Sequence, residues 1–455
     1  MEMVLEFLRD VLSQPALLIG IMSCIGLIAL KRPFHKIMTG TLKPILGYLM
    51  LAAGAGVIVS NLDPLGKMIE HGFHITGVVP NNEAIVAVAQ KVLGVETMSI
   101  LVVGLLMNLC IARFTKFKYV FLTGHHSLFM ACLMSAVLGT AGLSGMELIL
   151  VGGFLMGAWS AISPAIGQSY TSKVTDGDEI AIGHFGSLCY YLSAWVAKYV
   201  GKAEDSTEDI EIPEKWGFLR DSTLSTALTM IVFYLIAAFA AGSEFVATLS
   251  GDMSPYLYAV MSAMNFAVGV TIVYSGVRMI LGDLIPAFQG IATKIIPNAI
   301  PAVDCAVFFT YAPTAVVLGF LSSFIGGIIG MLILGAVGGV LIIPGLVPHF
   351  FCGATAGIYG NATGGRRGAA VGAFLNGLAI TFLPALALPV LGQLGFQNTT
   401  FGDADFAVMG LVLGNAYEWV GMAGIYGIVA IAALVLIVPN FIKTKGKVIN
   451  YVEED

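Results

Sequence analysis

The sequence predicts an all-α polytopic membrane protein of about eleven transmembrane helices, with an inverted repeat and re-entrant segments. Three observations predict it. Of 455 residues, 57% are hydrophobic and only 11% are charged, against about 25% charge in a soluble globular chain. Mean hydropathy is +0.90. Stretches of about 20 mostly apolar residues, the length that crosses a hydrocarbon core, recur along the whole chain.

The spans run from Pro15 to Leu30, Thr41 to Ser60, Met98 to Ala112, Thr123 to Ala141, Met146 to Ile166, Ser222 to Gly242, Tyr256 to Gly276, Ala302 to Leu321, Phe324 to Pro348, Gly368 to Leu391 and Phe406 to Val438. Asn81 to Gly94, Ile180 to Tyr199 and Leu284 to Ile300 are too short or too polar to cross and read as re-entrant or interfacial pieces, which need protein cover at membrane depth. Met1 to Gln14 is acidic apart from Arg9 and lacks the basic start of a cleavable signal. The first span is therefore expected to stay.

Cations orient these spans, because cytoplasmic loops collect Lys and Arg. With the N-terminus outside and the C-terminus in the cytoplasm, nineteen of the 22 cations face inward and only Arg9, Lys67 and Lys91 face outward. A bacterial inner membrane, multi-pass, is the expected location. The longest inner stretch, Ser169 to Asp221, carries Glu204, Asp205, Glu208, Asp209, Glu211 and Glu214; it reads as a solvated linker or as a patch for a basic cytosolic partner.

Several functions fall away. A net charge of −6 leaves no basic surface for nucleic acid. The six cysteines form no C-x-x-C pair and read as small core residues, not as disulfides or a zinc site. The phosphate loop G-x-x-x-x-G-K-[ST] is missing, and no set of residues has the spacing of a catalytic device. No cofactor is indicated. Gly326-x-x-x-Gly330 and Gly335-x-x-x-Gly339 read as helix-packing surfaces, and Arg366-Arg367 as a cytoplasmic anchor.

Sliding the chain by about 220 residues sets Asp63 against Asp283, and one further residue sets Glu83 against Asp304. Residues 1–221 and 222–455 thus read as two halves, the first with a cytosolic linker and the second with a final helix. Five spans separate the copies, so the second is inverted. Inverted repeats mark alternating-access transporters, whose substrates bind near the midplane at broken helices.

Carboxylates at membrane depth are costly and mark candidate sites. Glu83 and Asp304 meet that description, although each also suits a helix N-cap. Histidine is scarce, and three of seven lie in Thr123-Gly124-His125-His126-Ser127 and Ile182-Gly183-His184. Imidazole both donates and accepts hydrogen bonds, which fits a hydroxyl-rich or enolate substrate. A structural histidine and a metal ligand are the alternatives. Adjacent histidines diverge on a helix, which weighs against the metal.

These motifs, with Val174-Thr175-Asp176-Gly177, Asp304-Cys305-Ala306 and Tyr311-Ala312-Pro313-x-Ala315-Val316-Val317, resemble the ascorbate-specific IIC permeases of the bacterial phosphotransferase system. The resemblance runs from Gly40-Thr41-Leu42-Lys43 through Ile342-Ile343-Pro344-Gly345. It implies a homodimer in which a core domain carrying substrate moves against a V-shaped dimerisation domain, both interleaved across the two halves. Imported L-ascorbate, or a related sugar acid or sugar, is handed to a cytosolic IIB subunit carrying a phosphocysteine; this chain holds no phosphoryl-carrying residue of its own. The family's substrate contacts map onto Asn82, Glu83, His125, His126, Ser127, Leu128, Phe129, His184, Phe185 and Asp304. His125, His184 and Asp304 match its motif. Phe129 and Phe185 replace amides, and the acid at Glu83 is a further departure. Two lost amides leave buried polar groups of an ascorbate unpaired at about 1–3 kcal/mol each, which opens the pocket to other sugars or polyols. The rival reading is an ion-coupled secondary transporter of a small hydroxylated or anionic metabolite, with Glu83 or Asp304 as the ion site. Membrane lipid is the remaining expected partner.

Overall fold

The computed structural model describes residues 11, 14–74, 77–78, 80, 82–177, 179–210, 222–392 and 400–441; at 83–94 and some other helical positions it describes the backbone alone. The helices are α1 (Pro15–Ala29), α2 (Phe34–Phe73), α3 (Asn82–Phe114), α4 (Gly124–Thr140), α5 (Gly145–Ile166), α6 (Gln168–Thr175), α7 (Ser187–Val200), α8 (Ser222–Ala241), α9 (Ser243–Ser250), α10 (Pro255–Lys294), α11 (Pro313–Ala336), α12 (Leu346–Gly392), α13 (Ala404–Val420) and α14 (Met422–Ile437). Three short strands, β1 (Tyr119–Phe121), β2 (Ala181–Ile182) and β3 (Ile300–Val303), interrupt them, and a 3₁₀ turn (Cys305–Thr310) follows β3. The chain is an all-α polytopic membrane protein.

Among the described residues, seven helices are long and apolar enough to cross a membrane, or eight if α8 and α9, bent by 116° at Gly242, count as one span. Several elements depart from the sequence expectation. The segments Asn81–Gly94 and Leu284–Ile300 do not stand apart: Asn82 opens α3, 33 residues long, and α10 runs 40 residues to Lys294. Hydropathy marks how much helix faces lipid, whereas the backbone ladder continues wherever nothing breaks it. The two spans expected over 302–321 and 324–348 are one helix, α11, flanked by β3 and the 3₁₀ turn before it and by a non-helical passage through Gly338 (φ +69°) after it. The last expected span is two helices, broken at Gly421 (φ +62°). The glycine-rich stretch 353–368 is helical and belongs to α12, which breaks at Gly365 (φ 59°, ψ −154°), a backbone conformation that suits glycine alone.

A displacement of 221 residues carries α2 onto α10 at both ends, 34 to 255 and 73 to 294. The same displacement brings the start of α4 (124) to 345, one residue before α12, and the start of α5 (145) to 366, one after the break in α12. The end of α7 (200) arrives at 421, one past α13. α2 and α10 cross antiparallel and at close range. A Cβ added at Gly276 would lie 2.6 Å from Gly47 O, and one at Gly54 2.7 Å from Gly269 O. Small residues permit such backbone contact between helices in lipid.

One buried core joins α1, α2, α8 and α10 to α7, α11 and α12 through residues such as Leu51, Ile58, Phe266, Phe320 and Phe350. A second joins α3, α4, α5, α13 and α14 through Leu101, Leu133, Leu155, Phe406 and Leu413. Of the cysteines, Cys132, Cys189, Cys305 and Cys352 are buried, Cys24 is half-buried and Cys110 is exposed.

Candidate functional site

The three strands form a parallel sheet in the order β1-β3-β2, pairing Tyr119 with Ile300 and Ala181 with Ala302. Each strand is two to four residues long, and each ends at a polar residue that opens a helix. After β1 come Thr123 and α4 with His125 and His126; after β2 come His184 and α7; after β3 comes Asp304 and the 3₁₀ turn. Because the strands are parallel, their carboxyl ends lie together. The sheet therefore brings three distant polar motifs to one place. Gly183 is required there: a Cβ on it would lie 2.4 Å from Ala302 O, inside the strand it pairs with.

A cavity of about 820 Å³ lies against these strand ends. His125, His126, Phe129, His184 and Asp304 line it, and so does Asn82. Ser127, Leu128 and Phe185 do not. Ser127 is buried with its hydroxyl donating to Thr123 O (3.3 Å), and Phe185 is fully buried against Phe121 and Phe406. The Glu83 side chain lies outside the described residues. Half-way down the cavity wall Tyr48 of α2 places its hydroxyl 3.2 Å from His125 Nδ1.

His125 Nε2 stands 3.4 Å from Asp304 Oδ2. The other carboxylate oxygen of Asp304 accepts the N–H of Ala306 at 3.0 Å and caps the 3₁₀ turn. Capping and lining, posed as alternatives by the sequence, are thus both found, one on each oxygen. The Phe185 N–H donates to His126 Nδ1 (3.3 Å) and the Gly186 N–H to His184 Nδ1 (3.2 Å), with Tyr190 Oη 2.9 Å from the same His184 nitrogen. A ring nitrogen that accepts an N–H has no proton of its own, so both imidazoles are neutral in this geometry and carry their proton on Nε2. The two rings lie 3.9 Å apart, and His126 stacks on Phe406.

Two acids at the head of α13 complete the region. Asp403 lines the cavity; its Oδ2 accepts from Asn82 Nδ2 (2.5 Å) and its Oδ1 from the Cys352 thiol (2.7 Å). Asn82 Oδ1 in turn accepts the Gly402 N–H at 2.8 Å. Asp405 is fully buried and caps α7 by accepting from Leu188 N–H (3.1 Å) and Ser187 Oγ (2.9 Å). Reading for apolar runs passes over both, because they precede the run that begins at Phe406. A signal is nonetheless present: Gly402-Asp403-Ala404-Asp405 puts two acids beside a membrane span.

His125, His126 and Asp304 each offer a ligand atom within 4.8 Å of the others, and so do His184, Cys352 and Asp403. These donor types can hold a divalent cation. Tertiary contact supplies the carboxylate that helical spacing alone denied to His125 and His126. In the second trio the Cys352 thiol and His184 Nδ1 are engaged in the hydrogen bonds above, so that trio is built as a hydrogen-bond network.

On the acidic stretch, Glu208 accepts from Thr314 N–H, Ala315 N–H and Thr314 Oγ1 (2.9–3.2 Å) at the start of α11. Arg366 N–H donates to Asp205 O (2.8 Å) beside the break in α12. Residues 202–208 therefore tie α11 to α12. Glu211 and Glu214 lie outside the described residues.

Residues 10–405 match the family described as PTS system sugar-specific permease component, EIIC-GAT. The chain belongs to this family. A curated relative of the permease, the ascorbate-specific PTS system EIIC component of Mycoplasma pneumoniae (strain ATCC 29342 / M129 / Subtype 1), is 28% identical over 417 residues. The match covers 78% of the permease and 62% of that relative's length. The permease thus accounts for less than two thirds of the relative it resembles.

Proposed function

We propose that the permease is the IIC subunit of a phosphotransferase system, which imports L-ascorbate or a related sugar acid or sugar and presents it to a cytosolic IIB subunit for phosphorylation. The observation that carries this reading is the convergence of His125, His184 and Asp304 at the ends of three parallel strands, inside one cavity. Neutral His126 and His184 offer Nε2–H donors, and Asp304 Oδ2 offers an acceptor paired with His125. That alternation of donors and acceptors suits vicinal hydroxyls.

Alternating access follows from the same frame. Elements that recur at a displacement of 221 residues and the antiparallel glycine contact of α2 with α10 support two inverted halves, and substrates of such transporters sit at broken helices between the copies. In this proposal α1, α2 and α8–α10 form the dimerising scaffold of a homodimer, and the strand-end site with α4, α7 and α11–α13 moves against it. The N-terminus faces outward and the C-terminus the cytoplasm.

Membrane vesicles test the coupling. Substrate accumulation that requires phosphoenolpyruvate and the soluble phosphocarrier proteins is expected, with no accumulation from an ion gradient alone. Accumulation driven by a proton or Na⁺ gradient would replace this reading with a secondary transporter.

A further inference from the structure

The charge of the cavity narrows the substrate further, on the assumption that the permease reading holds. At its inner end the described lining has two carboxylates, Asp304 and Asp403. His125 faces Asp304 at 3.4 Å, so a proton on that imidazole at most cancels Asp304. His126 and His184 accept backbone N–H groups on Nδ1 and are uncharged. Asp403 has amide and thiol partners, Asn82 and Cys352, and neither carries a positive charge.

No other cation among the described lining residues reaches this end. Lys67 lines the cavity but is paired with Asp63 at 2.8 Å. It also lies nineteen positions beyond Tyr48 on α2 (48 to 67), roughly 28 Å along the axis at 1.5 Å per residue. Helix N-termini are the remaining source of positive potential, and here each has an acid. Asp304 caps the 3₁₀ turn, Asp405 caps α7, and Asp403 is itself the residue before α13. An anionic sugar acid entering this end would meet an uncompensated carboxylate with few waters to screen it.

We propose that Asp403, clasped by Asn82 and Cys352 in the cavity wall, is a specificity-determining residue that accepts hydrogen bonds from substrate hydroxyls and excludes anions, so that the permease takes an uncharged polyhydroxylated substrate, a sugar or polyol. A carboxylate is an acceptor with about four lone-pair sites; two are used by Asn82 and Cys352, which leaves capacity for a pair of hydroxyls. Discrimination of this kind works by repelling the wrong ligand as much as by attracting the right one.

Calorimetry on the purified full-length permease tests it, with sodium ascorbate and sodium gluconate set against xylitol, sorbitol, galactitol, arabinose and galactose. At least one uncharged compound is expected to bind ten or more times more tightly than either acid. In Asp403→Asn, which keeps the shape and a carbonyl for Asn82, that ratio is expected to shrink tenfold or more through a gain in affinity for the acids. Tighter binding of ascorbate or gluconate than of every uncharged compound overturns the proposal, and so does an unchanged ratio in Asp403→Asn. The wild-type comparison stands even if the variant fails to fold. Failure of the permease reading shows elsewhere, as accumulation that needs no phosphoenolpyruvate, with the binding preference left intact.

Discussion

Displaced by 221 residues, His184 at the end of β2 coincides with Asp405 at the head of α13, and Glu83 near the start of α3 coincides with Asp304 at the end of β3 (184 to 405, 83 to 304). The first half contributes imidazoles to the described cavity lining, at positions 125, 126 and 184, and the second half contributes the carboxylates Asp304 and Asp403. The two halves have kept element lengths and helix breaks while their side chains have diverged. A site that must meet hydroxyls needs donors and acceptors on opposite sides. One fold used twice with the same side chains would supply only one kind. Neither half, on this comparison, holds a complete site: His125 finds its acid, and Asp403 its amide, across the boundary between them.

The largest effects are expected where the halves meet. Asp304→Ala and His184→Ala should each weaken binding of the transported sugar by about 1.5–3 kcal/mol, roughly ten- to a hundredfold in Kd, with an unchanged elution volume on size exclusion. Near-normal affinity in both variants, measured by calorimetry, would sink the site. Next comes the scaffold contact. Gly276→Ala drives a methyl against Gly47 O at 2.6 Å and should destabilise the α2–α10 crossing by about 1–3 kcal/mol, as overpacking does, read as a lower Tm in detergent.

Asp405 sharpens the comparison with Asp403, two residues away. It is a cap and does not line the cavity. Asp405→Asn should cost about 1.5 kcal/mol of stability and leave the preference between charged and uncharged ligands as it was. A changed preference would mean that the two acids act together. The smallest effect is expected at the strap over α11: Glu208→Ala removes the cap at Thr314 and Ala315 and should cost about 1 kcal/mol, visible as a modest fall in Tm with unaltered binding.

Much of this architecture is legible in the residues themselves. Composition alone decides the membrane, because an 11% charged chain cannot furnish a water-facing surface. The near-220-residue echo of Asp63 in Asp283 points to the duplication, and the scarcity of charge singles out Asp304. The motifs around His125, His184 and Asp304 place the chain near the right family. Hydropathy fails where helices continue past their apolar part, as in α3 and α10, and where an apolar run conceals a break, as at Gly338 and Gly421.

The strands are invisible in the sequence for a different reason. Two to four residues are too few to show a period, and β1 meets β3 across about 180 residues of chain, from Tyr119 to Ile300. Only tertiary structure can pair them. It alone also sorts the ten candidate contacts: it turns Phe185 and Ser127 away from the cavity and brings Asp403 into it. Residue chemistry is written locally, so the sequence can say that a membrane-embedded imidazole or carboxylate is costly and must be used. Which acid faces which imidazole is decided by the register of three short strands, and register depends on the packing of every helix around them.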